Sequence, residues 1–337
     1  MNPAHETHPS TTPAVSVLLP FIPRRVEQIL PFAALVQWTD AVRLWQGQSM
    51  VLDTFGGFTA AAAAGFRVPS GVGVALMPLR HPLDAIHQAT TAAIATGESF
   101  SLGIGPGDKH FQAMTLGAPY ARQLAAVREY ATILRDLIDH REARFDGEYF
   151  HCHSPMAAVA APPVRLGFGV LRERMAHLAG ELADEAITWL TPPDHVAARL
   201  APALADGARD AGRPRRPRIV AMVPVALDND SRNAIDIVLA SNRMHISAPH
   251  YRAMLSTAGI AITDDLEQSA HNLIEGRAFL HGSVSDIIDG LAEYHRAGVD
   301  EVVLNTTGVC SVHGREAAMS DLREILSAIR TPVTATV

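Results

Sequence analysis

The run Leu102-Gly103-Ile104-Gly105-Pro106-Gly107-Asp108 sets three glycines in front of a carboxylate. Glycines let a backbone approach a flat or phosphorylated ligand and adopt unusual φ/ψ. The same run also reads as a tight turn. A second run, Gly167-Phe168-Gly169-Val170-Leu171-Arg172, closes an apolar stretch and opens a helical one. Amides at a helix start have no intrahelical acceptor and carry partial positive charge, so with Arg172 beside them they suit a phosphate. An ordinary Gly-containing loop, with Arg172 and Arg174 as solvated helix residues, fits equally. His151 and His153 stand two apart on an extended segment and could face one way, as metal ligands do. No third and fourth ligands accompany them at suitable spacing, so no metal is expected. His245 and His250 fall in a long stretch between strands, either against a substrate or as exposed loop histidines.

These residues need a scaffold. At 337 residues with 48% hydrophobic side chains, the chain can bury a sizeable core without a disulfide or metal. Its two cysteines, Cys152 and Cys310, lie far apart, which reads as a reducing, cytoplasmic setting. A formal net charge of −7 argues against nucleic acid. No apolar run approaches the ~18 residues of a membrane span. Residues 1–13 read as a flexible tail and 14–337 as one domain.

Short apolar runs at residues 15–19, 42–45, 71–76, 100–104, 164–168, 185–189, 219–225 and 301–304 read as strands buried on both faces. Helical periodicity recurs between them, at 82–95, 118–141, 173–182, 193–211, 231–242 and 284–297. Eight alternations predict an α/β fold of the (β/α)8 barrel (TIM barrel) type rather than an open doubly wound sheet. No GxGxxG opens the first strand–helix unit, which favours the barrel further. The intervals 140–163 and 243–283 exceed plain crossovers and read as insertions at the catalytic face.

Several segments together resemble the luciferase-like monooxygenase superfamily, in its deazaflavin (F420)-dependent branch. They are Arg80-His81-Pro82, the run from Gly97-Glu98-Ser99 through Gly107, and Phe145-Asp146-Gly147-Glu148-Tyr149-Phe150. Leu178-Ala179-Gly180-Glu181-Leu182-Ala183-Asp184 and Ala297-Gly298-Val299-Asp300-Glu301-Val302-Val303-Leu304 complete the set. The resemblance implies a barrel, dimeric as a rule, with a flavin or deazaflavin in its mouth. It implies that Gly73, Val74 and Ala75 lie at the ring, with a non-proline cis peptide at Gly73–Val74. It places Gly105, Pro106 and Gly107 along the ring edge. Gly169, Val170, Leu171 and Arg172 would receive the cofactor phosphate. Gln46, Gln48 and Ser49 would face the substrate or ring. His81 would approach the ring or pack under its helix.

One departure bears on the reaction. Alcohol-oxidising members carry a histidine base just after the second strand, whereas Trp45-Gln46-Gly47-Gln48-Ser49 has none. An amide orients but does not take a proton near neutral pH. The expected chemistry is therefore reduction of an activated double bond by reduced F420, with Asp108, Gln48 and His81 as candidate catalytic residues. Asp108 occupies the place of a proton-donating carboxylate, or is a plain helix-start carboxylate; a donor role would require desolvation. Arg25, Glu27, Gln28, Pro31, Phe32 and the 45–49 segment are similar to reductases of dehydroalanine residues in modified peptides. A small molecule or a peptide is thus the expected substrate. The alternatives are an FMN-dependent monooxygenase and a non-catalytic ligand-binding barrel.

Overall fold

A computed structural model describes residues 14–330. The predicted tail at 1–13 and the last residues, 331–337, lie outside the described part. All eight predicted strands are present. They are β1 (Ala14–Leu18), β2 (Leu44–Gln46), β3 (Ser70–Leu76), β4 (Phe100–Gly105), β7 (Val164–Gly169), β8 (Glu185–Trp189), β9 (Arg218–Leu227) and β11 (Glu301–Asn305). Each pairs in parallel with the next, and β11 pairs with β1 to close the barrel. Closure leaves these strands no free edge, and it sends every strand's carboxyl end to one mouth.

Three further strands lie in the two insertions. The 140–163 interval holds an antiparallel hairpin of β5 (Glu142–Asp146) and β6 (His151–Pro155). Alternate burial of its residues, with Ala143 and Cys152 inward, identifies one face as packed on the barrel helices. The second insertion carries β10 (Leu280–Gly282), which extends β9 beyond the stretch that β11 covers. It also holds the helices Pro249–Thr257 and Leu266–Glu275.

Most side chains that leave the barrel outward form one large core with the surrounding helices. Leu18, Trp45, Ile187, Val220, Met222 and Val303 fill the barrel from inside. The interior positions 71, 73, 103, 105, 167 and 169 on β3, β4 and β7 are glycines, and large side chains opposite occupy much of the space. A Cβ on Gly71 would lie 2.7 Å from Trp45, and one on Gly167 would lie 2.9 Å from Ile187. The second insertion is not a loose loop. Its Met254, Leu255, Ile260, Ala270 and Leu273 are buried with Ile237, Val238 and Phe279 in a second core against the barrel.

Candidate active site at the barrel mouth

Interior residues near the strands' carboxyl ends are only partly buried. Gly73, Val74, Leu76, Gly169 and Trp189 all retain exposure, so the chain's own side chains do not fill the mouth. The peptide Gly73–Val74 is cis, and the β3–β4 register shifts between Val72 and Ala75. Val74 then leans over the neighbouring strands. A Cβ on Gly105 would lie 2.6 Å from Val74 Cγ2, and one on Gly169 3.4 Å from Val74 Cγ1. A Cβ on Gly103 would meet the Val72 carbonyl oxygen at 2.4 Å. Glycines read from sequence as room for a ligand thus also make room for a side chain of this chain. Gly107 is at φ +70, a conformation that strains other residues. Ala75 is buried in the outer core, away from the mouth.

Asp108 caps the helix Lys109–Leu116 and accepts the Phe111 amide at 2.8 Å. It is exposed, so the burial that a proton-donating role calls for is not supplied by the chain itself. Gln112, on the same helix, is fully buried. It donates to the carbonyls of Pro106 (3.1 Å) and Gly107 (2.9 Å), and its own carbonyl accepts the Tyr120 amide at 3.0 Å. It braces the glycine loop, a role that only the fold reveals.

Gln48 joins two strand ends. Its Oε1 accepts the Leu76 amide at 3.2 Å and Arg80 Nη1 at 3.3 Å, while its Nε2 donates to the Ser49 carbonyl at 2.7 Å. The Arg80 guanidinium lies 5.3 Å from the Phe55 ring centroid, a cation–π distance. Gln46 turns toward Gly57 in the helix Gly56–Ala63, and Ser49 Oγ accepts the amides of Val51 and Leu52 at 3.1 Å. Of the three residues expected at this strand end, Gln48 is the one tied to the neighbouring strand. His81 is engaged at both ring nitrogens. Nδ1 accepts the Leu83 amide at 3.2 Å, capping the helix Pro82–Thr96, and Nε2 lies 2.8 Å from the His151 carbonyl. This geometry assigns it to capping and to docking the β5–β6 hairpin. His151 and His153 both turn to Asp146, at 3.4 and 2.8 Å, outside the barrel wall.

The row of free amides is offset from the run expected to receive a phosphate. The Val170 amide donates to the Ile187 carbonyl at 2.8 Å and is unavailable. Among the described residues, the amides of Leu171, Arg172, Glu173 and Arg174 meet no acceptor. They open the helix Glu173–Leu182, where the dipole favours an anion. Glu173 is turned to Arg199 at 3.3 Å, which offsets its charge at this end. Beneath the loop, buried His195 lies against the Leu171 backbone, and desolvation lowers its pKa.

The rim beside this loop, at the end of the adjoining strand β8, is aromatic. Trp189, at the end of β8, stacks on His245 with centroids 5.3 Å apart and planes at 21°. Tyr251 meets His245 edge-on at 5.0 Å, and His250 follows at 4.9 Å from Tyr251. Burial holds the His245 pKa down at about 4 and raises that of Tyr251. His250 lies where the ring series meets the charged rim. Desolvation lowers its pKa, Asp108 opposes that shift, and Arg172 adds to it. Sequence spacing left His245 and His250 as either substrate contacts or loop residues. The long-range contact with Trp189 brings them to the mouth.

A model of the luciferase-like monooxygenase family matches residues 16–301. The chain is 26% identical over 239 residues to a 5,10-methylenetetrahydromethanopterin reductase of Archaeoglobus fulgidus, covering 64% of this chain and 71% of the relative. Its fold is similar to that of the F420-dependent tetrahydromethanopterin reductase of Methanopyrus kandleri. There the TM-score is 0.72 at 20% identity, over 94% of this chain and 99% of that one. An F420-dependent secondary alcohol dehydrogenase in complex with an F420-acetone adduct gives a TM-score of 0.70 at 17% identity, over 95% and 100% of the two chains.

Proposed function

The chain belongs to the luciferase-like monooxygenase family of flavin- and F420-dependent oxidoreductases, and from that premise we propose that it is an F420-dependent reductase acting on an activated double bond. The observation that carries the reading is Gln48. The side chain that links the ends of β2 and β3 is an amide held by Leu76, Arg80 and Ser49, not an imidazole free to remove a hydroxyl proton. The F420-dependent relatives support the choice of deazaflavin over FMN.

The residues present fit such a cofactor. Free amides at Leu171 to Arg174, with the Arg172 guanidinium, would hold a phosphate. The partly open rim of Gly73, Val74 and Gly169, with Gly107 on the adjoining loop, would receive the ring. Bound there in reduced form, the deazaflavin supplies a hydride. Reduction of a double bond would also need a proton at the second carbon, which a side chain at the mouth would have to supply. Asp108 is the candidate to deliver the proton, once an acceptor covers its exposed carboxylate. Gln48 and Arg80 keep the ends of β2 and β3 in place, and Gln112 fixes the carbonyls of the glycine loop. A dehydroamino acid residue in a modified peptide is one acceptor of this kind, and a homodimer is the proposed assembly.

Titration of the purified protein with F420 and with FMN tests the cofactor; tight FMN binding with no F420 binding rules the reading out. Loss of the reduced-deazaflavin signal against a panel of unsaturated acceptors then tests the reaction. Asp108→Asn keeps the helix cap. A rate fall of about 10²-fold or more in that variant is the expected result for a general acid, and unchanged turnover removes Asp108 from the role.

A further inference from the structure

The mouth has two chemically distinct halves. One carries the free amides, Arg172, Asp108 and Arg80. The other is the ring series Trp189, His245, Tyr251, which begins at the end of β8 and runs into the second insertion. We infer that this second half binds the acceptor, and that the acceptor is a planar, uncharged, conjugated molecule. The inference rests on the reductase reading for the reaction, but not for the binding.

Three observations carry it. Trp189, His245 and Tyr251 are each partly exposed, and Trp189 and Val74 both pack on the cluster that fills the barrel, so ring surface borders the mouth. The insertion that supplies two of the rings has its own buried core, which holds the wall in place before any ligand arrives. Finally, the wall bears no formal charge near neutral pH, because burial keeps the His245 imidazole neutral and the Tyr251 phenol protonated. Flat neutral rings in contact favour flat partners. An anion against them would lose hydration with no cation to pair with. Arg172 and Asp108 act on His250, at the far end of the series. His245 is thus a specificity-determining residue, because it faces Trp189 and joins it to Tyr251.

The test uses the full chain with and without oxidised deazaflavin, and trans-chalcone, a planar uncharged enone, as the probe. Saturable quenching of tryptophan fluorescence is expected in both states and is expected to vanish in Trp189→Phe. A chalcone with a carboxylate on each ring is expected to bind at least about tenfold more weakly. His245→Leu is expected to lower chalcone affinity about three- to tenfold, the range of an aromatic pair, with deazaflavin affinity unchanged. His245→Phe, which keeps a flat ring, is expected to retain it. Equal or tighter binding of the dicarboxylate overturns the inference. So does chalcone affinity that His245→Leu leaves intact or that His245→Phe abolishes, or binding seen only without deazaflavin. Chalcone binding by a chain that binds no deazaflavin would remove the reductase reading and leave the wall standing.

Discussion

Where the barrel strands begin, Arg43, Arg165 and Arg218 surround Glu185, and Arg218 also reaches Glu301 at 3.3 Å. Glu301 accepts from Ser16 Oγ at 2.7 Å and from the Trp45 indole at 2.8 Å. Where the strands finish, amides lack acceptors, glycines are half-open and the insertion's rings run up to the charged rim at His250. The first end gathers its charges around one another; the second leaves backbone donors facing the mouth. Burial also pushes the Glu185 carboxyl up, with the Arg43 guanidinium opposing that shift. Such charges are tolerable only as a set, so the closed end behaves as a stability element and the open end as a binding element.

The largest expected effect falls at the closed end. Glu301→Ala strips a buried acceptor from Ser16, Trp45 and Arg218 at once, and should cost ~3–5 kcal/mol of stability. Urea unfolding would measure it. Cofactor affinity of the protein that remains folded should not change; a parallel loss of affinity would show that the two ends are not separable.

At the open end, His245 sets a pH dependence. Its folded pKa, about 4, lies below the ordinary 6.5, so between these values the unfolded chain binds a proton that the folded one refuses. Its contribution is therefore complete above about 6.5 and is lost as pH falls toward about 4, up to ~3 kcal/mol. Unfolding free energies at pH 7 and pH 4 should differ by roughly that much more in the native protein than in His245→Leu. An equal difference would mean that His245 is solvated and is no part of a wall.

Smaller effects sharpen the contrast within the mouth. Gly105→Ala drives a methyl against Val74 and should destabilise by ~1–3 kcal/mol. Adding Val74→Ala should recover most of that loss in a double-mutant cycle; without recovery, the glycine serves the ligand alone. Gln48→Leu leaves the Leu76 amide without its acceptor and should cost ~1 kcal/mol by thermal unfolding. A loss above that would place Gln48 with the closed end's structural network.

The eight apolar runs and their helical intervals were legible along the chain, because parallel strands buried on both faces need continuous apolar residues and the helices between them need a 3.6-residue period. The cis Gly73–Val74 peptide came from motif resemblance. Other features depend on partners distant in sequence. Val170 loses its amide to Ile187, which shifts the free row to Leu171 through Arg174. Gln112 reaches back to Pro106 and Gly107. His81, a plausible ring contact by position, is consumed by Leu83 and His151. The insertion's histidines gained a location only when Trp189 stacked on His245. Local composition and period determine which segments become strands and helices, because backbone hydrogen bonding and burial repeat at short range. Which polar atoms are left free at the mouth is a remainder, decided only after the closed barrel and its second core have claimed all the others.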